Sequence, residues 1–319
     1  MSNFSIVFMG TPEFAVAILE RLHRDGISIK AVVTAPDKPA GRGQKIHSSA
    51  VKAYAVEHDL PLLQPTNLKD PVFINDLEAL HADLFVVVAF RMLPESVWGM
   101  PPKGTINLHA SLLPQYRGAA PINWAVINGE SHTGVSTFFI EKEIDTGKII
   151  QQAEVEIGEN ETAGELYDRL MELGAEVMSS TVVQIQKDEV QSTEQAAHTQ
   201  GPLKPAPKIF REDCEIDFNR SCQDVHNFCR GLSPYPASWC TLLNRENGEL
   251  RIFKLFTTRI TQLPSEGQHN IQRDSEGLLF PCADFYLRVT DIQPEGKRRM
   301  HYREFLAGNR IDSFVTKGF

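Results

Sequence analysis

Three residues have types and spacing that could run acyl-transfer chemistry: Asn107, His109 and Asp145. Asn107 and His109 lie two apart in Gly104-Thr-Ile-Asn-Leu-His109. In a β-strand, residues two apart project from the same side. An amide donates a hydrogen bond to a developing oxyanion, and an imidazole gives or takes a proton near neutral pH. A lone histidine among apolar neighbours is more often a satisfied structural group than a catalyst. Here the carboxylate of Asp145, in the turn Ile144-Asp-Thr-Gly147 after the next strand, is placed to approach it. With no Ser or Cys nucleophile beside them, these three side chains suit direct acyl transfer between two bound substrates.

These residues need a scaffold that brings strand ends together. Residues 5–9 (SIVFM), 29–34 (IKAVVT) and 84–89 (LFVVVA) are short apolar runs rich in Val and Ile, the pattern of strands buried on both faces of a parallel sheet. Residues 12–24 have Phe14, Ala17, Ile18 and Leu22 at helical spacing, with Thr11 as the expected cap. Residues 104–108 and 135–140 read as further strands, and Thr162-Ala-Gly-Glu165 is a capping box opening a long helix. The expected fold is α/β: an N-terminal doubly wound, mostly parallel sheet of Rossmann-like kind. The turn Gly10-Thr11-Pro12 carries one glycine rather than the three of a dinucleotide fingerprint, which argues against a dehydrogenase. A tight strand-to-helix turn and a binding turn for a substrate phosphate or backbone stay open for it.

Residues 191–208 (QSTEQAAHTQGPLKPAPK) are polar, aperiodic and contain three prolines, and read as a linker. Beyond them a helix around residues 222–232 precedes short β-like runs, LRIFKLFTTRI, GLLFP and FYLRVTDI. They point to a small β-barrel of the oligonucleotide-binding (OB-like) type. The expected organisation is a catalytic domain over residues 1–190, a linker over 191–208 and a C-terminal β-barrel domain over 209–319.

Charge divides the chain the same way. Residues 1–203 hold 15 Lys+Arg against 26 Asp+Glu, and residues 204–319 hold 17 against 15. A less acidic C-terminal module carrying Lys297-Arg298-Arg299 suits a phosphate-rich partner, while a solvated charged loop explains that triplet equally well. The composition, 42% hydrophobic and 23% charged over 319 residues, excludes disordered, collagen-like and coiled-coil classes. No apolar run approaches the roughly 20 residues of a membrane span. The start has no basic n-region, so a cytoplasmic protein is expected. Five cysteines, none in a C-x-x-C pair, read as inert thiols in a reducing compartment, and no metal is expected. Nothing reads as a heptad or assembly motif, so a monomer is expected.

Several spaced motifs together resemble one family. Asn107-Leu-His109, Ser111-Leu-Leu-Pro114, Arg117-Gly-Ala-Ala-Pro-Ile122 and Ile144-Asp-Thr-Gly147 are similar to the formyltransferase family that uses 10-formyltetrahydrofolate. Gly10-Thr-Pro-Glu-Phe14, Pro36-Asp-Lys-Pro-Ala-Gly-Arg-Gly43 and Pro234-Tyr-Pro-Ala-Ser-Trp239 resemble its branch that formylates initiator methionyl-tRNA. The resemblance implies that Asn107 and protonated His109 stabilise the tetrahedral oxyanion and that Asp145 orients His109 and manages the amine proton through water. It implies that Ser111, Leu112, Leu113 and Pro114 bind the folate, with Val88 and Phe90 at the strand end beside the pterin. After that strand, Phe90-Arg-Met-Leu-Pro94 is one residue shorter than the family's usual Tyr-Gly-Leu-Ile-Leu-Pro run, with Arg91 in place of the glycine.

The Gly/Pro-rich, basic stretch of residues 36–52 reads by itself as a flexible surface loop. By resemblance it is the loop that enters the tRNA acceptor stem, with Arg42 foremost and Lys38 and Lys45 beside it. The product would be N-formylmethionyl-tRNA for translation initiation. Alternatives are an amino-sugar nucleotide or glycinamide ribonucleotide as acceptor, a formyltetrahydrofolate hydrolase or dehydrogenase, or a catalytically dead nucleic-acid-binding protein. The basic loop, the C-terminal charge and the intact trio favour formyl transfer to tRNA.

Overall fold

A computed structural model of the chain describes residues 4–40, 45–199 and 201–316. It divides into two compact units. Residues up to 118, 134–155 and 168–205 form the first, and residues 119–133, 156–167 and 206–319 the second.

In chain order the first elements are β1 (Ser5–Gly10), α1 (Glu13–Arg24), β2 (Ser28–Val33), β3 (Lys38–Ala40), β4 (Lys45–His47), α2 (Ala50–Glu57), β5 (Leu62–Leu63) and α3 (Pro71–Ala79). They continue with β6 (Leu84–Val88), α4 (Glu95–Trp98), β7 (Thr105–His109), α5 (Pro121–Ile127), β8 (His132–Phe139), β9 (Ile149–Glu156) and α6 (Ala163–Gln186). The sheet order is β5-β2-β1-β6-β7-β8-β9. The pairs from β5 through β7 are parallel and β7–β8 is antiparallel. The chain first winds outward from β1 through β2 to β5 and then returns to β6 on the other side of β1. That reversal is a topological switch point, where open α/β sheets bind ligands at the strands' carboxyl ends.

Local chemistry explains these elements. β1 and β6 are buried along their whole lengths, as strands covered by helices on both faces must be. Gly10 ends β1 because a Cβ there would stand 2.6 Å from the Ala15 Cβ of α1, so the glycine serves close strand-to-helix packing. The N-cap of α1 is Pro12 with no side-chain cap bond, so Thr11 does not play the capping part expected of it. The α6 capping box forms as expected: Thr162 N–H donates to Glu165 Oε2 at 2.8 Å and Glu165 N–H to Thr162 Oγ1 at 3.2 Å. The basic loop contains a two-stranded β3–β4 ladder rather than irregular chain alone.

The second unit carries α7 (Cys222–Gly231), β10 (Ser238–Asn244), β11 (Leu250–Pro264), β12 (Gln272–Arg273), β13 (Leu278–Pro281), β14 (Phe285–Pro294), β15 (Met300–His301), α8 (Tyr302–Gly308) and β16 (Phe314–Thr316). Its antiparallel sheet runs β12-β13-β14-β11-β10-β16, with β15 beside β14. A bridge between Asn270 and Val315 joins the two ends of that order, so the sheet curls on itself like an OB barrel. Phe253, Phe280, Leu287 and Phe305 fill the interior. All five cysteines are free and buried here; burial pushes the Cys229 thiol up to about 12, which keeps it unreactive.

Candidate active site

β7 positions the site. Leu108 turns to one face of the sheet, where a Cβ on Gly174 of α6 would come within 2.7 Å of its Cδ2. Strand alternation sends Asn107 and His109 to the other face, as their spacing predicts. His109 sits at the carboxyl end of β7 and is buried to 7% exposure. Its Nε2 donates to the Tyr116 carbonyl at 2.7 Å, since a carbonyl only accepts. Its Nδ1 faces Asp145 Oδ2 at 3.8 Å.

Asp145 occupies the left-handed backbone region at φ +56. The Gly118 N–H donates to its Oδ2 at 3.1 Å. Two residues on, a Cβ at Gly147 would stand 1.7 Å from the Phe139 carbonyl oxygen, so only glycine lets the turn lie this close to β8. Asn107 is half-buried and its carboxamide has no hydrogen-bond partner among the described residues. An unpartnered amide on the same strand face as His109 is a free donor for a substrate oxygen.

The segment after β7 is held from behind. Ser136 on β8 is fully buried; its Oγ donates to the Ser111 carbonyl at 2.6 Å and accepts from Leu113 N–H at 3.0 Å. Gln152 Nε2 donates to Ser136 Oγ at 2.8 Å and to the Leu113 carbonyl at 3.0 Å. Ser111 itself donates to the Gln115 carbonyl at 2.6 Å and is fully buried, so it offers no free nucleophile. Leu113 packs with Phe138 and Ile149, and Pro114 is buried, whereas Leu112 is half-exposed. Of the four residues expected to bind folate here, Leu112 alone keeps an accessible side chain.

Val88 pairs with Leu108, which places the end of β6 beside His109. Val88 is buried and Phe90 packs against the apolar cluster of Phe73, Leu77 and Val97. Ala89 between them is exposed with φ +45. Arg91 folds onto the carbonyls of Pro65 and Thr66, 3.0 Å from the latter, and stacks 5.5 Å from the Phe90 ring. Burial lowers the affinity of its guanidinium for a proton. A cleft of about 570 Å³, lined by Asn67, Lys69, Arg91, Met92 and Glu95, opens along this segment.

Of the expected tRNA-contacting residues, Arg42 lies outside the described residues. Lys38 is exposed on β3, and Lys45 starts β4. Lys52, at the end of the same stretch, pairs with Asp37 at 2.5 Å. In the second unit Arg298 pairs with Glu304, and Arg299 stacks 4.5 Å from the Phe256 ring with Asp291 3.8 Å away. Sequence reasoning missed Gln195 and Ser136. Gln195 sits in an aperiodic polar stretch and Ser136 inside a strand where nothing local singles it out, and the partners of both are brought to them only by folding. Among the described residues no cluster of three His, Cys, Asp or Glu side chains could hold a metal ion, and no helix is long and apolar enough to cross a membrane.

Two family models cover most of the chain: formyl transferase over residues 3–182 and formyl transferase C-terminal domain over residues 208–310. The chain is 49% identical to the methionyl-tRNA formyltransferase of Bacteroides fragilis, over 99% of this chain and 98% of that one. The chain belongs to the methionyl-tRNA formyltransferase family. The Bacteroides thetaiotaomicron enzyme of that name is also 49% identical, and that of Flavobacterium johnsoniae 48%, each over 97% of both chains. This formyltransferase also shares its fold with two solved structures. One is WlaRD, a sugar 3N-formyl transferase crystallised with dTDP and 5-N-formyl-THF, at TM-score 0.65, 19% identity and coverage of 93% of this chain and 100% of that one. The other is Aquifex aeolicus HypX in complex with tetrahydrofolic acid, at TM-score 0.65 and 15% identity, covering all of this chain and 51% of that one.

Proposed function

We propose that this formyltransferase moves the formyl group of 10-formyltetrahydrofolate to the α-amino group of methionyl-initiator tRNA, giving N-formylmethionyl-tRNA. Near-complete alignment at 49% identity with enzymes of that name supports the choice of acceptor. The sugar N-formyltransferases share the fold at 19% identity, which speaks for architecture alone.

The observation that carries the mechanism is the pairing of buried His109, at the carboxyl end of β7, with half-buried Asp145, with no free Ser or Cys nucleophile beside them among the described residues. All five cysteines are buried, and the Ser111 hydroxyl is committed to the Gln115 carbonyl. The chain therefore works by holding two substrates together rather than by carrying the formyl group itself. The amine nitrogen adds to the formyl carbon, the carbonyl electrons move to oxygen, and the bond from carbon to the folate nitrogen then breaks. Asn107 Nδ2 donates to the oxygen that gains charge, and protonated His109 offsets that charge with its positive ring. Asp145 keeps that imidazolium in place and, through a water, relays the proton the amine loses toward the folate nitrogen that needs it.

Ser111, Leu112, Leu113 and Pro114 on one side and Val88 to Phe90 on the other flank this centre and hold the folate. Lys38, Arg42 and Lys45 meet the acceptor end of the tRNA. Residues 1–190 carry the chemistry and residues 209–319 help bind the tRNA, joined by residues 191–208. Single-turnover formyl transfer by His109→Ala and Asp145→Ala tests the roles. Each substitution is expected to lower the rate at least ~100-fold with tRNA binding nearly kept. Near-normal turnover by either variant would remove that residue from the chemistry.

A further inference from the structure

Gln195 lies in the polar stretch after α6 and is 3% exposed. Its carboxamide makes four hydrogen bonds. Nε2 donates to the Asp145 carbonyl at 2.9 Å and to the Gly147 carbonyl at 2.8 Å. Oε1 accepts from Nε and Nη2 of Arg117 at 3.1 and 2.6 Å. A primary amide has two N–H donors and two strong acceptor sites, so this one is saturated. Its orientation is unambiguous, because carbonyls only accept and guanidinium only donates.

The segment that carries Gln195 is itself fastened. Thr193 exchanges two backbone hydrogen bonds with Ile149 at the start of β9, at 2.9 and 2.8 Å. Glu194 pairs with Lys148 at 3.1 Å. An anchored amide thus grips the turn that bears Asp145.

Asp145 needs such a grip. A non-glycine residue in the left-handed region persists only where its surroundings over-determine it. The Asp145 and Gly147 carbonyls bracket the turn, and both end on the same Gln195 nitrogen. Arg117, bound to the other end of that amide, immediately precedes Gly118, whose N–H holds Asp145 Oδ2. One side chain therefore fixes both the turn that carries the carboxylate and the corner that orients it toward His109.

We propose that Gln195 is a positioning residue for formyl transfer, setting the Asp145 carboxylate against His109. This rests on the roles given above to Asp145 and His109. A carboxylate misplaced by a fraction of an ångström costs rate without costing substrate affinity.

The test compares Gln195→Leu, Gln195→Glu, Asp145→Asn and the double variant Gln195→Leu/Asp145→Asn by steady-state formyl transfer across pH. Gln195→Glu retains an acceptor for Arg117 and loses both donors to the turn. Each Gln195 variant is expected to lower kcat by about 10- to 100-fold with both KM values within about twofold of wild type. The pH–kcat profile should shift in both. The double variant should be no slower than Asp145→Asn alone, because Gln195 acts through that carboxylate. Gln195 variants with wild-type kcat and pH profile, whatever their melting temperature, overturn the proposal, as do losses that multiply in the double variant. If Gln195→Leu does not fold, Gln195→Glu carries the comparison, alone and combined with Asp145→Asn. Full activity of Asp145→Asn is a separate outcome: it would refute the catalytic reading itself.

Discussion

Asp145 Oδ2 stands 3.8 Å from His109 Nδ1, close enough for opposite charges to attract and too far for a direct hydrogen bond. The same oxygen accepts the Gly118 N–H at 3.1 Å, and the other ring nitrogen of His109 is engaged by the Tyr116 carbonyl. Backbone groups thus hold both members of the pair, leaving the space between them for a proton to enter or leave. In a site of low dielectric such fixed groups require no reorganisation when charge develops on the reacting oxygen.

Ser136 predicts how residues 111–114, proposed to hold the folate, depend on β8. Replacing it with alanine leaves the Leu113 N–H and the Ser111 carbonyl without their buried partner. Ser136→Ala should destabilise the protein by about 1–3 kcal/mol. It should also raise the KM for the formyl donor more than it lowers kcat. Chemical denaturation together with donor titration checks both; an unchanged donor KM would show that residues 111–114 do not depend on this clasp.

How much of this was legible in the sequence depends on the range of each interaction. The β1, β2 and β6 strands, the α6 capping box and the shared face of Asn107 and His109 follow from local periodicity and cap chemistry, and they stand where expected. The Asp145 turn could be named because a glycine two residues later marks it. The Thr11 cap failed because the α1 N-terminus is met by Pro12 instead. Gln195 was invisible for a different reason: its partners lie 50 and 48 residues away on the turn and 78 away at Arg117. The assignment of residues 119–133 and 156–167 to the same unit as the barrel is likewise a product of tertiary contacts, such as Asn123 Nδ2 donating to the Gly231 carbonyl at 2.8 Å.

His226 on α7 predicts an acid-sensitive step in stability. It is buried between Thr258 Oγ1 at 2.7 Å and the Glu159 carbonyl at 3.2 Å. Burial, helped by the nearby cations Arg230 and Arg259 and opposed by the Glu159 carbonyl, lowers its pKa from 6.5 to about 4. The unfolded chain then binds the proton more readily than the folded one between these values. The stability from keeping this ring neutral is full above pH 6.5 and is lost as pH falls toward 4. A shift of this size corresponds to about 3 kcal/mol as an upper figure. Denaturation at pH 7, 5.5 and 4.5, with His226→Gln as comparison, should show a steeper decline for wild type. Parallel curves would contradict the prediction.

Arg42 predicts an electrostatic contribution to tRNA use. Arg42→Ala should raise the KM for methionyl-tRNA, and the deficit should narrow at high salt, where wild type also loses its phosphate contacts. Lys38→Ala should follow it more weakly. Kinetics at two ionic strengths decide the matter, and an Arg42 variant with wild-type constants at low salt would remove the loop from the substrate site.

The central claim is tested most directly by supplying radiolabelled 10-formyltetrahydrofolate together with initiator methionyl-tRNA, elongator methionyl-tRNA and free methionine in parallel. Label transferred to the initiator species alone is the predicted result. Transfer to none of them while folate still binds, or equal transfer to free methionine, would contradict it.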